Sequence, residues 1–158
     1  MALDPYEYRG AEALVALHAE HLREFLVTWR RADAQSLKLP TSSNPNYSSR
    51  EALLAHVMGC AARYLIWICE QAKLPAPTIE ERPEPSGFAA RAEDYMEGIL
   101  AAWKLPLRTL TEDLADSRAF MARWGAPYTI DAMLEHAVIH PMRHSYQLEK
   151  LMAAPASS

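Results

Sequence analysis

Prolines, serines and glycines gather between four long segments of this chain and are sparse inside them. That punctuation leaves room for little besides long helices. Each segment repeats apolar residues at helical spacing. The first is expected to begin near Asp4 and Pro5, an N-cap followed by a proline at the first helical position, and to end before Pro40. Its apolar face comprises Leu14, Leu17, Leu22, Phe25, Leu26 and Trp29. After the connection KLPTSSNPNY, Ser48 and Glu51 have the spacing of a capping box. A second helix through Leu53, Val57, Ala61, Leu65 and Ile68 should then reach about Lys73, where Pro75 and Pro77 stop it.

Residues Pro75–Ser86 (PAPTIEERPEPS) are rich in proline and glutamate, which suits an extended crossover to a distant third helix better than a tight hairpin. The third helix is expected over about Gly87–Asp116, kinked or interrupted at Pro106. A loop with Gly125, Ala126 and Pro127 precedes Thr129, a good N-cap with Asp131 in the first turn, and a fourth helix to about Met152. No strand alternation of convincing length is present. The expected fold is all-α, a four-helix bundle with a long crossover between helices two and three, formed by residues 1–158 as a single domain.

Charge narrows the partners. The 20 acidic and 16 basic residues give a net charge of −4 with no lysine or arginine run, which argues against nucleic acid. Met1–Asp4 lacks the basic start of a signal peptide, and no stretch of 18 uncharged apolar residues follows, so the expectation is a cytoplasmic protein without a membrane span. Cys60 and Cys69 are nine residues apart, on roughly opposite helix faces, and cannot bridge each other; free thiols fit a reducing compartment.

The fourth segment holds the string HAVIHPMRHSYQ, which places His136, His140 and His144 at successive spacings of four, on one helix face. Two imidazoles so spaced can ligate one metal ion if a third ligand arrives from elsewhere. His56, on the apolar side of helix two among Leu53, Val57 and Cys60, is the best candidate. Taken singly, a histidine there reads as a hydrogen-bonded core residue. The series in helix four favours a metal, because several buried imidazole nitrogens would otherwise each need a partner. His136 has three readings: a fourth ligand, a base at the pocket mouth, or, as preferred here, a residue supporting the ligands from behind. Pro141 removes the backbone bond to Ala137 and should bend or loosen the helix there.

Zinc suits three imidazoles best, and nickel and iron are also compatible. Arg63, seven residues after His56, and Gln147, seven after His140, are candidate ligand-orienting residues, although Arg63 could equally reach solvent. Cys60 reads more simply as buried packing than as a ligand. His18 and His21 lack a third partner, Glu135 and Glu149 fall on the solvated side, and Trp29, Trp67, Trp103 and Trp124 read most simply as packing, though one or two could wall a pocket.

The second-helix segment SSREALLAHVMGCAARYL and the motif HPMRHSYQ resemble the DinB-like superfamily of four-helix proteins, over most of the chain. The resemblance assigns His56 as the second-helix ligand and His140 and His144 as the paired ligands of helix four. Many relatives read HxxxHRGQ; Gln147 keeps the glutamine, while Ser145 and Tyr146 stand where arginine and glycine are usual. Characterised members include metal-dependent transferases acting with low-molecular-weight thiols such as bacillithiol or mycothiol. The resemblance therefore implies an ion with an open position that binds a thiol or water and stabilises its anion. Two expectations follow. One is a metal-dependent transferase or hydrolase-like enzyme acting on a small molecule. The other is a non-catalytic metal- or ligand-binding bundle with a stress-related or structural role. A homodimer fits either.

Overall fold

The computed structural model describes residues 5–155 and is mostly helical. Its helices are α1 (Arg9–Ala34), α2 (Arg50–Ala72), α3 (Ala92–Lys104), α4 (Glu112–Asp116) and α5 (Ile130–Ala153). A small antiparallel pair, β1 (Phe120–Met121) and β2 (Pro127–Tyr128), precedes α5.

Helix α1 starts later than the sequence suggests. Asp4, the expected cap, lies outside the described residues, as do Ala156–Ser158 of the small-residue tail. Pro5–Tyr8 serve tertiary contacts instead: the Glu7 amide donates to the Arg108 carbonyl at 2.9 Å, and the Tyr8 hydroxyl donates to Asp131 at 2.7 Å. The helix ends in a Schellman turn, with Ser36 at φ 51° and the Leu37 amide returning to the Ala32 carbonyl at 3.0 Å. The cap of α2 is Ser49, not Ser48; its side chain accepts from the Ala52 amide at 3.0 Å. Ser48 donates its hydroxyl to the Pro45 carbonyl, closing a 3₁₀ turn at Pro45–Tyr47. That turn carries Tyr47 toward α2.

The third segment is not one helix. It breaks into a 3₁₀ turn at Phe88–Arg91, α3, a second 3₁₀ turn at Pro106–Thr109, and α4. Proline at the first position of the second turn and extended Leu110 end one helix, and Thr111 caps the next through the Leu114 amide. Residues 74–87 contain no helix or strand and lead to an α3 that packs against α2 as well as α1. The Trp103 indole donates to the Ala61 carbonyl at 3.1 Å across this contact.

The most extensive helix pairing is α1 with α5, and α2 packs on α5 across the core. Phe25, Leu54 and Leu65 of α1 and α2 and Ile99 and Trp103 of α3 are fully buried. Each such side chain contributes about 1.5–3 kcal/mol relative to exposure. Helix α2 is long and apolar enough, by length and composition, to cross a membrane, but 89% of that window is buried inside the fold. A helix enclosed on all sides by protein has that composition.

Candidate metal centre

Helix α2 supplies His56, and α5 supplies His140 and His144 one turn apart. Each offers a ring nitrogen lying within 4.8 Å of the others'. Ring centroids are 5.1 Å apart for His56 and His140, 5.6 Å for His56 and His144, and 4.7 Å for His140 and His144. Helix α5 runs through Pro141 without ending, so the four-residue spacing keeps the pair on one face.

The chemistry of these residues fits a divalent cation. Both nitrogens of His144 are buried with no hydrogen-bond partner, a costly state for a polar ring that a bound ion relieves. Each of the three would hold the ion through one ring nitrogen, a donor set that suits zinc. Burial, followed by the positive field of His144, Arg63 and Arg143, lowers His56 from 6.5 to about 4. Burial and Arg143 lower His144 to about 4. Burial, with His144 and His56 adding to it, lowers His140 to about 2. All three rings are therefore neutral near pH 7, the form that ligates metal. Gln147 lies close enough to His144 to favour its charged form, yet outside hydrogen-bond geometry for either ring nitrogen.

The remaining expected residues divide. His136 is beside His140, with centroids 6.2 Å apart, but is not among the three clustered ligands. It sits among aromatic rings, stacked on Trp124 and edge-on to Tyr64 and Tyr128. Cys60 touches only His56 of the triad; its sulfur is 3.8 Å from Nδ1 and 3.9 Å from Nε2, roughly equidistant and so along neither lone pair. Arg63 reaches inward, donating from Nη1 to the Glu81 carbonyl at 2.5 Å and from Nη2 to the Cys60 sulfur at 3.0 Å. Gln147 faces another groove, beyond Tyr47 and beside Leu39 and Leu151. His18 is buried against Trp103, and His21 pairs with Glu24 at the surface. Cys60 and Cys69 are both free and buried.

A cavity of about 440 Å³ opens beside His56, His136 and His140. That volume is in the range of small-molecule sites. A larger hollow of about 810 Å³ lies along α1 and α5, but it is a surface groove lined by exposed Val27, Met142 and Tyr146, without the triad. The residues that sequence reasoning missed are Tyr47, whose ring lies 5.8 Å from His56 and 5.9 Å from His144, and Arg82, Arg123 and Arg143 around the cavity; Trp67 and Trp124 are the tryptophans that wall it. Arg143 was visible in principle, between two ligands in HPMRH. Tyr47, Arg82, Arg123 and Trp124 lie in connections whose paths periodicity does not encode.

No family model, curated protein or solved structure matches this chain.

Proposed function

We propose that this chain is a divalent-metal-binding protein of the DinB-like kind, a four-helix bundle with a long crossover, acting as a metal-dependent transferase on a low-molecular-weight thiol or water. The observation that carries this reading is the three-histidine group, with nitrogens mutually within 4.8 Å, at the wall of a 440 Å³ cavity. A closed structural site would have no such hollow beside it.

Zinc held by three neutral imidazoles keeps its full charge and acidifies a thiol or water bound to it. The chain's own residues supply the rest. His136 lines the cavity with its pKa lowered by burial and Arg143, so near pH 7 a ring nitrogen is free to accept the proton released by the incoming thiol or water. Tyr47 packs its ring beside both His56 and His144 and also lines the cavity.

The test is metal analysis of the wild type beside His56→Ala, His140→Ala and His144→Ala after loading with zinc, nickel or iron. One ion per chain in the wild type and loss in each variant is expected; unchanged content in all three removes the site. Turnover of a chromogenic electrophile with several cellular thiols, in loaded and chelated protein, then tests the transferase reading.

A further inference from the structure

The cavity beside the triad is lined by four arginines, Arg63, Arg82, Arg123 and Arg143, and by no aspartate or glutamate. This runs against the chain's overall charge of −4. The arginines come from four places: Arg63 from α2, Arg82 from the segment between α2 and α3, Arg123 from the β1–β2 turn, and Arg143 from α5.

Their charges are unequally neutralised. Arg123 is held by Glu81 at 2.7 Å, with Glu70 at 3.9 Å. Arg63 donates to a carbonyl and to the Cys60 sulfur, which burial keeps in its uncharged thiol form near pH 7. Arg82 and Arg143 have no carboxylate within ion-pair distance among the described residues. The field of Arg143 reaches inward, depressing the ionisation of His56, His136, His140 and His144 together. A hollow with excess guanidinium charge attracts anions, and the planar fork matches the oxygens of a carboxylate or phosphate.

The rest of the wall is flat and apolar. Trp124 is 49% exposed and stacks on His136, with Tyr64 and Trp67 deeper. An aromatic surface left half in solvent beside unpaired arginines suits a ligand with one flat apolar part and one anionic end.

We propose that the cavity binds a small organic oxyanion, with its carboxylate or phosphate on Arg82 and Arg143 and its flat apolar body against Trp124. This names the substrate class for the site proposed above, and it depends on that reading only for what happens at the triad. Arg63, committed to Glu81 and Cys60, and Arg123, committed to Glu81, are positioning residues that hold the segment carrying Arg82 in place.

The probes are benzoate, phenyl phosphate and the neutral isostere benzamide, titrated by calorimetry and tryptophan fluorescence. Measurements use metal-stripped protein and repeat after zinc loading. At least one anion should bind saturably, about tenfold or more tighter than benzamide, and about tenfold more weakly in Arg82→Gln and in Arg143→Gln. Added salt should weaken it. Arg30→Gln, which removes an exposed partner of Glu93 outside the cavity lining, should bind as the wild type does. Preference between benzoate and phenyl phosphate identifies which oxyanion the arginines accept. Benzamide binding as tightly as the anions, unchanged anion affinity in both cavity variants, or no saturable anion binding would overturn the proposal. Absence of zinc uptake with intact anion binding to stripped protein would sink the metal centre alone. Normal zinc uptake without anion binding would sink the oxyanion site alone.

Discussion

Trp124 lies over His136 with ring centroids 5.2 Å apart and planes 29° from parallel. The stack joins two parts of the chain with different structural logic. His136 is fixed by the helical spacing of α5, whereas Trp124 is fixed by a turn. Gly125 takes φ 84°, its amide donates to the Ala122 carbonyl at 2.9 Å, and the Ala122 amide donates to the Ala126 carbonyl at 2.8 Å. The Trp67 indole fastens that turn to α2 through the Met121 carbonyl at 3.2 Å. The cavity wall is thus completed by a loop held down from the core.

Because Trp124 is half exposed and offers no ligand to the triad, Trp124→Ala should lose about 1 kcal/mol of stability, the scale of its aromatic contacts. Metal stoichiometry should stay at the wild-type value while cavity ligands weaken. Urea unfolding and metal analysis on the same preparation check this, and lost metal with native folding would place Trp124 in the metal site itself.

His144 separates function from stability. Its two unpartnered buried nitrogens make the metal-free protein less stable than an apolar side chain of similar size would. His144→Leu should therefore leave metal-free stability unchanged or raised by about 1 kcal/mol, since the cost of an unmet buried polar group is about 1–3 kcal/mol. Zinc at about a hundredfold excess over its Kd should stabilise the wild type by about 2.7 kcal/mol and the variant not at all. Thermal melts with and without zinc measure both effects, and equal zinc stabilisation in the two proteins would contradict the assignment of His144 as a ligand.

The triad was legible in the sequence because helical spacing is a rigid ruler: His140 and His144 share a face wherever α5 goes, and apolar neighbours announce that the face is inward. His56 needed only the apolar stripe of α2. The cap of α2 was missed by one residue because Ser48 and Ser49 are both competent, and the choice depends on the preceding 3₁₀ turn, which uses Ser48. The interruption at Pro106 was legible from the proline itself, whereas the 3₁₀ turn at Phe88–Arg91, which delays α3 to Ala92, leaves no periodic signal. Arg82 and Arg123 meet through Glu81 and the path of two connections, a tertiary outcome with no local pattern.

That one-residue distinction is measurable. Ser49→Ala removes the acceptor for the Ala52 amide and should cost about 1 kcal/mol, whereas Ser48→Ala loses only an exposed turn bond and should stay within about 0.5 kcal/mol of wild type. Chemical denaturation of the pair decides it, with a larger loss in Ser48→Ala being the contrary result.

His18 carries a pH signature that does not involve the metal site. It is buried against Trp103 with both nitrogens unpartnered, and burial lowers its pKa from 6.5 to about 3. The unfolded chain thus binds a proton below its ordinary pKa while the folded chain resists one. The stabilisation is fully present above the unfolded value and is lost as pH falls toward the folded value. Between about pH 7 and about pH 5 this group should remove about 2 kcal/mol from the stability. His18→Leu should show a correspondingly shallower loss, with slopes from other groups shared by both proteins. Matching pH profiles for the two would show that His18 is not the buried neutral ring described here.

Gly59 offers a test of how tightly the connection after α2 is packed. An alanine Cβ there would lie 2.9 Å from the Glu81 carbonyl oxygen, 2.9 Å from the Arg63 Nη1 and 3.0 Å from Pro83 Cδ. Glycine to alanine inside a helix ordinarily stabilises by about 1 kcal/mol. Here the contact with backbone opposes that gain, and overpacking costs about 1–3 kcal/mol. Gly59→Ala should therefore be destabilising on balance, by about 1 kcal/mol. It should also displace Glu81 from Arg63 and Arg123, moving Arg82 with the same segment and weakening anion binding at the cavity. The helix-propensity gain and the steric cost have opposite signs, so unfolding free energy alone discriminates between them. A more stable Gly59→Ala with unchanged ligand binding would mean that residues 81–83 yield freely, and that Arg82 is not held at the cavity by this close approach.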